Sequence, residues 1–270
     1  AKSYTNICYS NGLNGENSGG LGAGIYVIAC TQTTITGNHC YDNVLGEEGY
    51  GIGVSDCDET VISGNTCHGN RVDGIEVWGD DAAGHRRANN VKIFANTCYD
   101  IPATMYGIDC HNIGSGALIC GNLVYDCAYS ALIVGSSEGG TGTIANNTFE
   151  VEAGSRCVRL EAGCDGWTFK NNLFRGGSAL IDEGANALNV VMETNGYDPT
   201  VTNQVVDLGG AGGDYTISTI ATLDTTAITS DPQLTSDYYL SNTSMEDAGV
   251  WVAGVRLHDD LPAPLHPPIG

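Results

Sequence analysis

One short pattern recurs along this chain. An apolar residue is followed three positions later by Asn, and two positions after that by an interior-type side chain. The apolar positions are Ile35, Ile62, Ile93, Ile119, Ile144, Phe169 and Met192, and the Asn column runs Asn38, Asn65, Asn96, Asn122, Asn147, Asn172 and Asn195, with Asn6 joining it near the start. The third column reads Cys8, Cys40, Cys67, Cys98, Val124, Phe149, Phe174 and Tyr197. Successive Asn residues are 23 to 32 positions apart, and the variation falls in Gly-, Asp- and Asn-rich stretches that read as loops. Self-similarity at such a period is the mark of a stacked-repeat architecture.

A second column precedes the first, with a small residue, an apolar one, any residue and an apolar one. It appears as "GIYV" at 24–27, "GIGV" at 51–54, "GIEV" at 74–77, "GIDC" at 107–110, "ALIV" at 131–134 and "CVRL" at 157–160. Alternation of this kind predicts short strands. Two or three short strands per repeat, with no helical periodicity, predict an all-β right-handed parallel β-helix of about eight coils over 1–198. Stacking at ~4.8 Å per coil places equivalent residues above one another, so the Ile and Cys columns fill the interior and the Asn amides bond along the axis. The cysteines then act as small hydrophobes; Cys30 and Cys57, matched on adjacent coils, could be a stacked thiol pair or a disulfide, and an expected spacing short of the usual Cα separation favours thiols.

Composition narrows the function. With 10 Lys and Arg against 32 Asp and Glu, a net charge of -22 argues against nucleic-acid binding, which phosphate-neutralising cations drive. No apolar run is long enough to span a membrane, and the first residues carry no signal-peptide core. A polyanionic partner would need a bridging Ca²⁺ or a local basic patch such as "HRR" at 85–87. The 11 cysteines form no C-x-x-C pair, which argues against a structural zinc site.

The repeats over about 4–198 resemble those of the pectate-lyase-like superfamily of right-handed β-helices. The tail, "SDPQLTSDYYLSNTSMEDAG" at 230–249 and "HPPIG" at 266–270, is similar to the closing segment of bacterial and phage members, which implies that 199–270 caps the last coil. That superfamily includes polysaccharide lyases, glycoside hydrolases, uronan epimerases, phage tailspikes and noncatalytic surface proteins. The resemblance therefore implies an extracellular, cell-surface or virion-surface protein that recognises a polysaccharide. The chain starts beside the Asn6 column with no strand before it, from which we expect upstream residues, another subunit or self-association at that end.

Function is sought where the strands face outward. One outward column reads Tyr26, Gly53, Glu76, Asp109, Ile133 and Arg159, and the next reads Ile28, Ser55, Trp78, His111, Gly135 and Glu161. Glu76, Asp109 and His111 are the candidate catalytic groups, because two carboxylates in register ~5 Å apart push one pKa up and leave an acid beside a base. That spacing is nearer the retaining than the inverting glycosidase arrangement. Trp78, Tyr26, Arg159 and Glu161 are the candidate substrate-binding residues, since a flat ring covers the C–H face of a sugar while charged groups take its hydroxyls. Asp80 and Asp81 could add carboxylates for a Ca²⁺ ion beside Glu76 and Asp109. Loops at 43–50 and 79–90 would wall the patch. Two functions follow: a polysaccharide lyase or glycoside hydrolase working in an exposed groove, or a noncatalytic adhesin, phage tail component or structural β-helix. His39 and His68 read as surface turn residues.

Overall fold

The computed structural model of the protein describes residues 1–11, 22–44, 49–79, 88–102, 104–135, 139–161, 163–182, 189–201, 205–209 and 213–230, with backbone only at 181–182. Asp80, Asp81, the "HRR" stretch and the closing motifs beyond 230 lie outside the described residues.

The expected columns are strand columns. Ile35, Ile62, Ile93, Ile119, Ile144, Phe169 and Met192 pair in one parallel register, and the Cys8 to Tyr197 column pairs in another. Each coil contributes one strand to each of three sheets, so the chain is an all-β parallel solenoid. Sheet 1 stacks eight strands from Lys2–Tyr4, a strand ahead of Asn6 where none was expected, to Val191–Glu193, and sheet 2 stacks eight from Ile7–Tyr9 to Gly196–Tyr197. Sheet 3 has nine, from Ile25–Ile28 to Val206–Asp207 and finally Asp214–Tyr215, whose pairing is antiparallel. Ile, Val, Leu, Phe and Cys side chains close the interior, and every cysteine is a free thiol.

The turn between sheets 1 and 2 explains the Asn column. The residue before each ladder Asn has positive φ, from Thr5 at 49° through Gly37, Gly64, Ala95 at 54°, Gly121, Asn146 and Asn171 to Thr194. A single left-handed residue turns the chain sharply, and the Asn that follows points its amide along the axis. From Asn38 onward each backbone N–H and Nδ2 donates to Oδ1 of the next Asn at 2.8 to 3.1 Å. The row ends on Asp224, fully buried, whose Oδ2 accepts from the Asn195 N–H, Asn195 Nδ2 and the Tyr197 hydroxyl at 3.0, 3.0 and 3.1 Å. A carboxylate accepts without needing to donate, which suits the last position of a row of donors.

The small residue that opens each sheet-3 strand has a separate cause. A Cβ on Gly24, Gly51 or Gly74 would lie 2.6, 2.5 or 2.6 Å from the carbonyl oxygen of the matching glycine one coil on. The coils approach too closely there for any side chain.

Candidate functional site on sheet 3

Four neighbouring coils build the site, on strands Ile52–Ser55, Ile75–Trp78, Tyr106–His111 and Ser130–Val134, with Arg156–Leu160 beyond them. Register pairs Glu76 with Asp109 and Trp78 with His111, so the structure brings these four together. On the other side Glu76 pairs with Gly53, and the Tyr26 ring lies over that glycine: a Cβ there would be 2.5 Å from Tyr26 Cδ2. Trp78 is 40% exposed, and its ring centroid is 5.0 Å from that of His111.

Two of the expected groups are not surface groups. Asp109 is 5% exposed and Arg159 7%. Arg159 turns back across the buried Ile133, and its Nη1 donates to the hydroxyls of Tyr106 and Tyr129 at 2.5 and 2.9 Å, with the guanidinium 5.0 Å from the Tyr129 ring centroid. A guanidinium held this way is a structural clamp beneath the site.

Asp73 was not among the sequence candidates. It lies in the corner before the strand, where the in–out alternation used to find outward positions has not begun. Asp73 is buried, accepts the Tyr106 N–H at 2.7 Å, and brings its carboxylate within 4.8 Å of those of Glu76 and Asp109. Burial raises the Asp73 pKa well above the carboxylate range, and the neighbouring Asp109 and Glu76 charges add to the rise against the Tyr106 hydrogen bond. Burial also raises Asp109, although its hydrogen bond to His111 Nδ1 and the imidazole charge pull the other way.

His111 sits between two acids. Nδ1 contacts Asp109, and Nε2 lies 3.0 Å from Glu161 Oε2. Burial disfavours the charged ring, but the hydrogen bond and charge of Asp109, with those of Glu161, outweigh it and raise the pKa to about 9. Glu161 reaches His111 across an intervening coil because Gly135 stands between them, where a Cβ would be 2.9 Å from Glu161 Oε2 and 3.1 Å from His111 Cδ2.

The cluster therefore sets carboxylates whose pKa values are raised beside an imidazole whose own pKa is raised, with two aromatic rings next to it. Three carboxylates could also supply part of the 6–8 oxygens that Ca²⁺ takes. However, Asp73 and Asp109 each spend an oxygen on a protein hydrogen bond. A broad concavity lies elsewhere, on the outer face of sheet 1, and the charged side chains that line it, Lys2, Glu59 and Lys92, are all exposed. The chemistry, not the concavity, singles out sheet 3.

The family described as right handed beta helix region matches residues 4–86 and 23–206. No curated protein matches the chain. Among solved structures, the tailspike gp61 of Pseudomonas phage phi297 is similar at a TM-score of 0.48 and 16% identity, over 68% of this chain and 37% of the tailspike chain. The chain thus spans little more than a third of that protein's length. Among the described residues, no helix is long and apolar enough to cross a membrane.

Proposed function

We propose, from the premise that the chain belongs to the right-handed β-helix family, that it recognises a polysaccharide on the outer face of sheet 3 and hydrolyses a glycosidic bond there. The observation that carries this reading is the carboxylate trio of Asp73, Glu76 and Asp109 within 4.8 Å, two of them buried and raised in pKa, beside the exposed Trp78. Such a group contains both an acid and a base at one pH, as cleavage of an acetal requires.

Trp78 and Tyr26 would hold a sugar ring by its C–H face next to Glu76. Glu76, the half-buried member of the trio, is the group a substrate can touch, and Asp109 on the adjacent coil is its partner. One carboxylate attacks the anomeric carbon while the other, protonated, gives its proton to the departing glycosidic oxygen; water then releases the sugar with the roles reversed. The short carboxylate separation favours this retaining course over an inverting one, which needs ~6.5–9.5 Å to fit a water. His111, held cationic by Asp109 and Glu161, steadies the charge and donates to a sugar hydroxyl when one displaces Glu161.

Eliminative cleavage is less well supported. It needs a base that removes a proton next to a uronate carboxylate, and Arg159, the cation expected to serve, is tied to two tyrosines. A site at the surface of cells or virions, or free outside them, follows from a polysaccharide substrate.

The test is a reducing-end assay, with 235-nm absorbance in parallel, over a panel of neutral and acidic polysaccharides with and without Ca²⁺. New reducing ends without 235-nm absorbance, abolished in Glu76→Gln and Asp109→Asn, are expected. Absorbance at 235 nm would mark a lyase. Binding without turnover would leave recognition alone, and turnover that survives both substitutions would overturn the assignment.

A further inference from the structure

Charge is spread unevenly over the three faces. The chain has 32 acidic side chains against 10 basic ones, a net charge of -22, and its lysines all stand on sheet 1, in strands Lys2–Tyr4, Lys92–Phe94 and Thr168–Lys170. Sheet 2 presents a row of stacked rings, Tyr9, Tyr41, His68, Tyr99 and Tyr125, with His39 hydrogen-bonded to His68, and its Arg175 is paired with Glu150.

On sheet 3 the cations among the described residues are already engaged. Arg159 Nη1 lies between the hydroxyls of Tyr106 and Tyr129, and the Arg156 guanidinium is 5.7 Å from the Tyr129 ring centroid. His111 has Asp109 at one ring nitrogen and Glu161 at the other. Arg71, in the turn before Asp73, sets its Cβ against Gly49 on the coil before, whereas Asp109 belongs to the coil after. Beside these groups Asp73, Glu76 and Asp109 keep their carboxylates within 4.8 Å of one another.

We propose, on the strength of the sheet-3 reading, that the glycan taken there is an amino-sugar polymer, built of 2-amino-2-deoxyhexose units with free, protonated amines, and not a uronan. In such a unit the amine sits on the carbon next to the anomeric one. A ring placed for Glu76 and Asp109 to act at the anomeric carbon therefore brings its ammonium beside the trio. There the positive charge offsets carboxylates that repel one another, and the N–H groups donate to their oxygens. That repulsion shows in Asp73, whose pKa is raised by burial first and then by the charges of Asp109 and Glu76. A neutral ring would desolvate the acids and leave the repulsion in place. A uronate would add a further like charge, where the nearest cations are spent on tyrosines, on Asp109 and on Glu161. Trp78, 40% exposed, covers a C–H face that amino and neutral hexoses share, so the choice between them falls to the acids. At longer range, a net charge of -22 draws a polycation and repels a polyanion.

The experiment compares tetrasaccharides of one linkage as the free amine, its N-acetylated form and the uronate, because a long polyamine adheres to any acidic surface. Each is titrated into the full chain at physiological ionic strength, with binding read by calorimetry, its place by amide chemical shifts, and new reducing ends counted in parallel. The amine is expected to bind about tenfold or more tighter than the N-acetylated form, with shifts at Glu76–Trp78 and Asp109–His111. The uronate is expected not to bind, with or without Ca²⁺. Glu76→Gln should remove most of the preference for the amine while holding the affinity for the N-acetylated form within about twofold. Equal binding of the amine and the N-acetylated form, tighter binding of the uronate, or amine-induced shifts spread over sheets 1 and 2 and unchanged in Glu76→Gln would overturn the assignment. Cleavage of the N-acetylated form as fast as the amine would also overturn it and leave the hydrolytic reading standing. Amine-selective binding on sheet 3 without new reducing ends would support it and count against hydrolysis.

Discussion

His111 connects the site's charge to its geometry. Its usual value of 6.5 rises to about 9 because Asp109 and Glu161 flank the ring, so the histidine is charged in the folded chain through neutral pH. A group whose pKa rises on folding stabilises the fold fully below its unfolded value and loses that contribution as the pH climbs through the folded one. The His111 contribution is therefore complete below about 6.5 and gone above about 9. An NMR titration of the His111 ring should give a midpoint near 9, falling towards 6.5 in Glu161→Gln and also in Gly135→Ala, whose new methyl must push Glu161 Oε2 away. A midpoint unmoved by either change would mean that Glu161 does not act on the ring. The sequence alone could pair Asp109 with Glu76 and His111 with Trp78, because register in a coil is set by Cα position. It could not show that Arg159 folds back towards Tyr106, because register does not say where a long flexible side chain ends.

At the level of the element, the turn and the strand opening were the most legible features, for physical reasons the structure supplies. Gly, Ala, Asn or Thr precedes each ladder Asn from Thr5 to Thr194 because that residue must sit at positive φ, and the glycine of each "GI" pair faces a carbonyl one coil away. Left-handed backbone costs a residue with a Cβ roughly 1–2 kcal/mol, and glycine escapes most of it. Ala95, at φ 54°, is the alanine in that column, so Ala95→Gly should stabilise the fold by about 0.5–1 kcal/mol, net of the greater freedom of the unfolded chain. Urea denaturation would show this as a higher midpoint with an unchanged slope; a lower midpoint would contradict the role given to the turn. Asp73 escaped notice because the corner it occupies obeys neither the strand alternation nor the Asn spacing. His39 and His68, expected in turns, are strand residues of sheet 2, since the turn lies one residue earlier than the Asn-centred motif suggests.

For the molecule as a whole, each coil contacts chiefly its neighbours, and the ends of the stack are where stacking must stop. Asp224 ends the Asn row by accepting what Asn195 donates, and Asp214–Tyr215 pairs in the opposite sense to the rest of sheet 3. The three faces differ in character: sheet 3 gathers the buried acids with Trp78, sheet 2 carries the aromatic row with its histidine pair, and sheet 1 presents threonines and exposed lysines. The fold was readable because its period is written into every coil, whereas the site is written once. The measurement that tests the central claim most directly is amide chemical-shift mapping of the labelled protein against oligosaccharides from any polysaccharide it binds. The account predicts shifts clustered at Tyr26, Gly53, Glu76–Trp78 and Asp109–His111, lost in Trp78→Ala. Shifts confined to sheet 1 or sheet 2, with sheet 3 unperturbed, would contradict it.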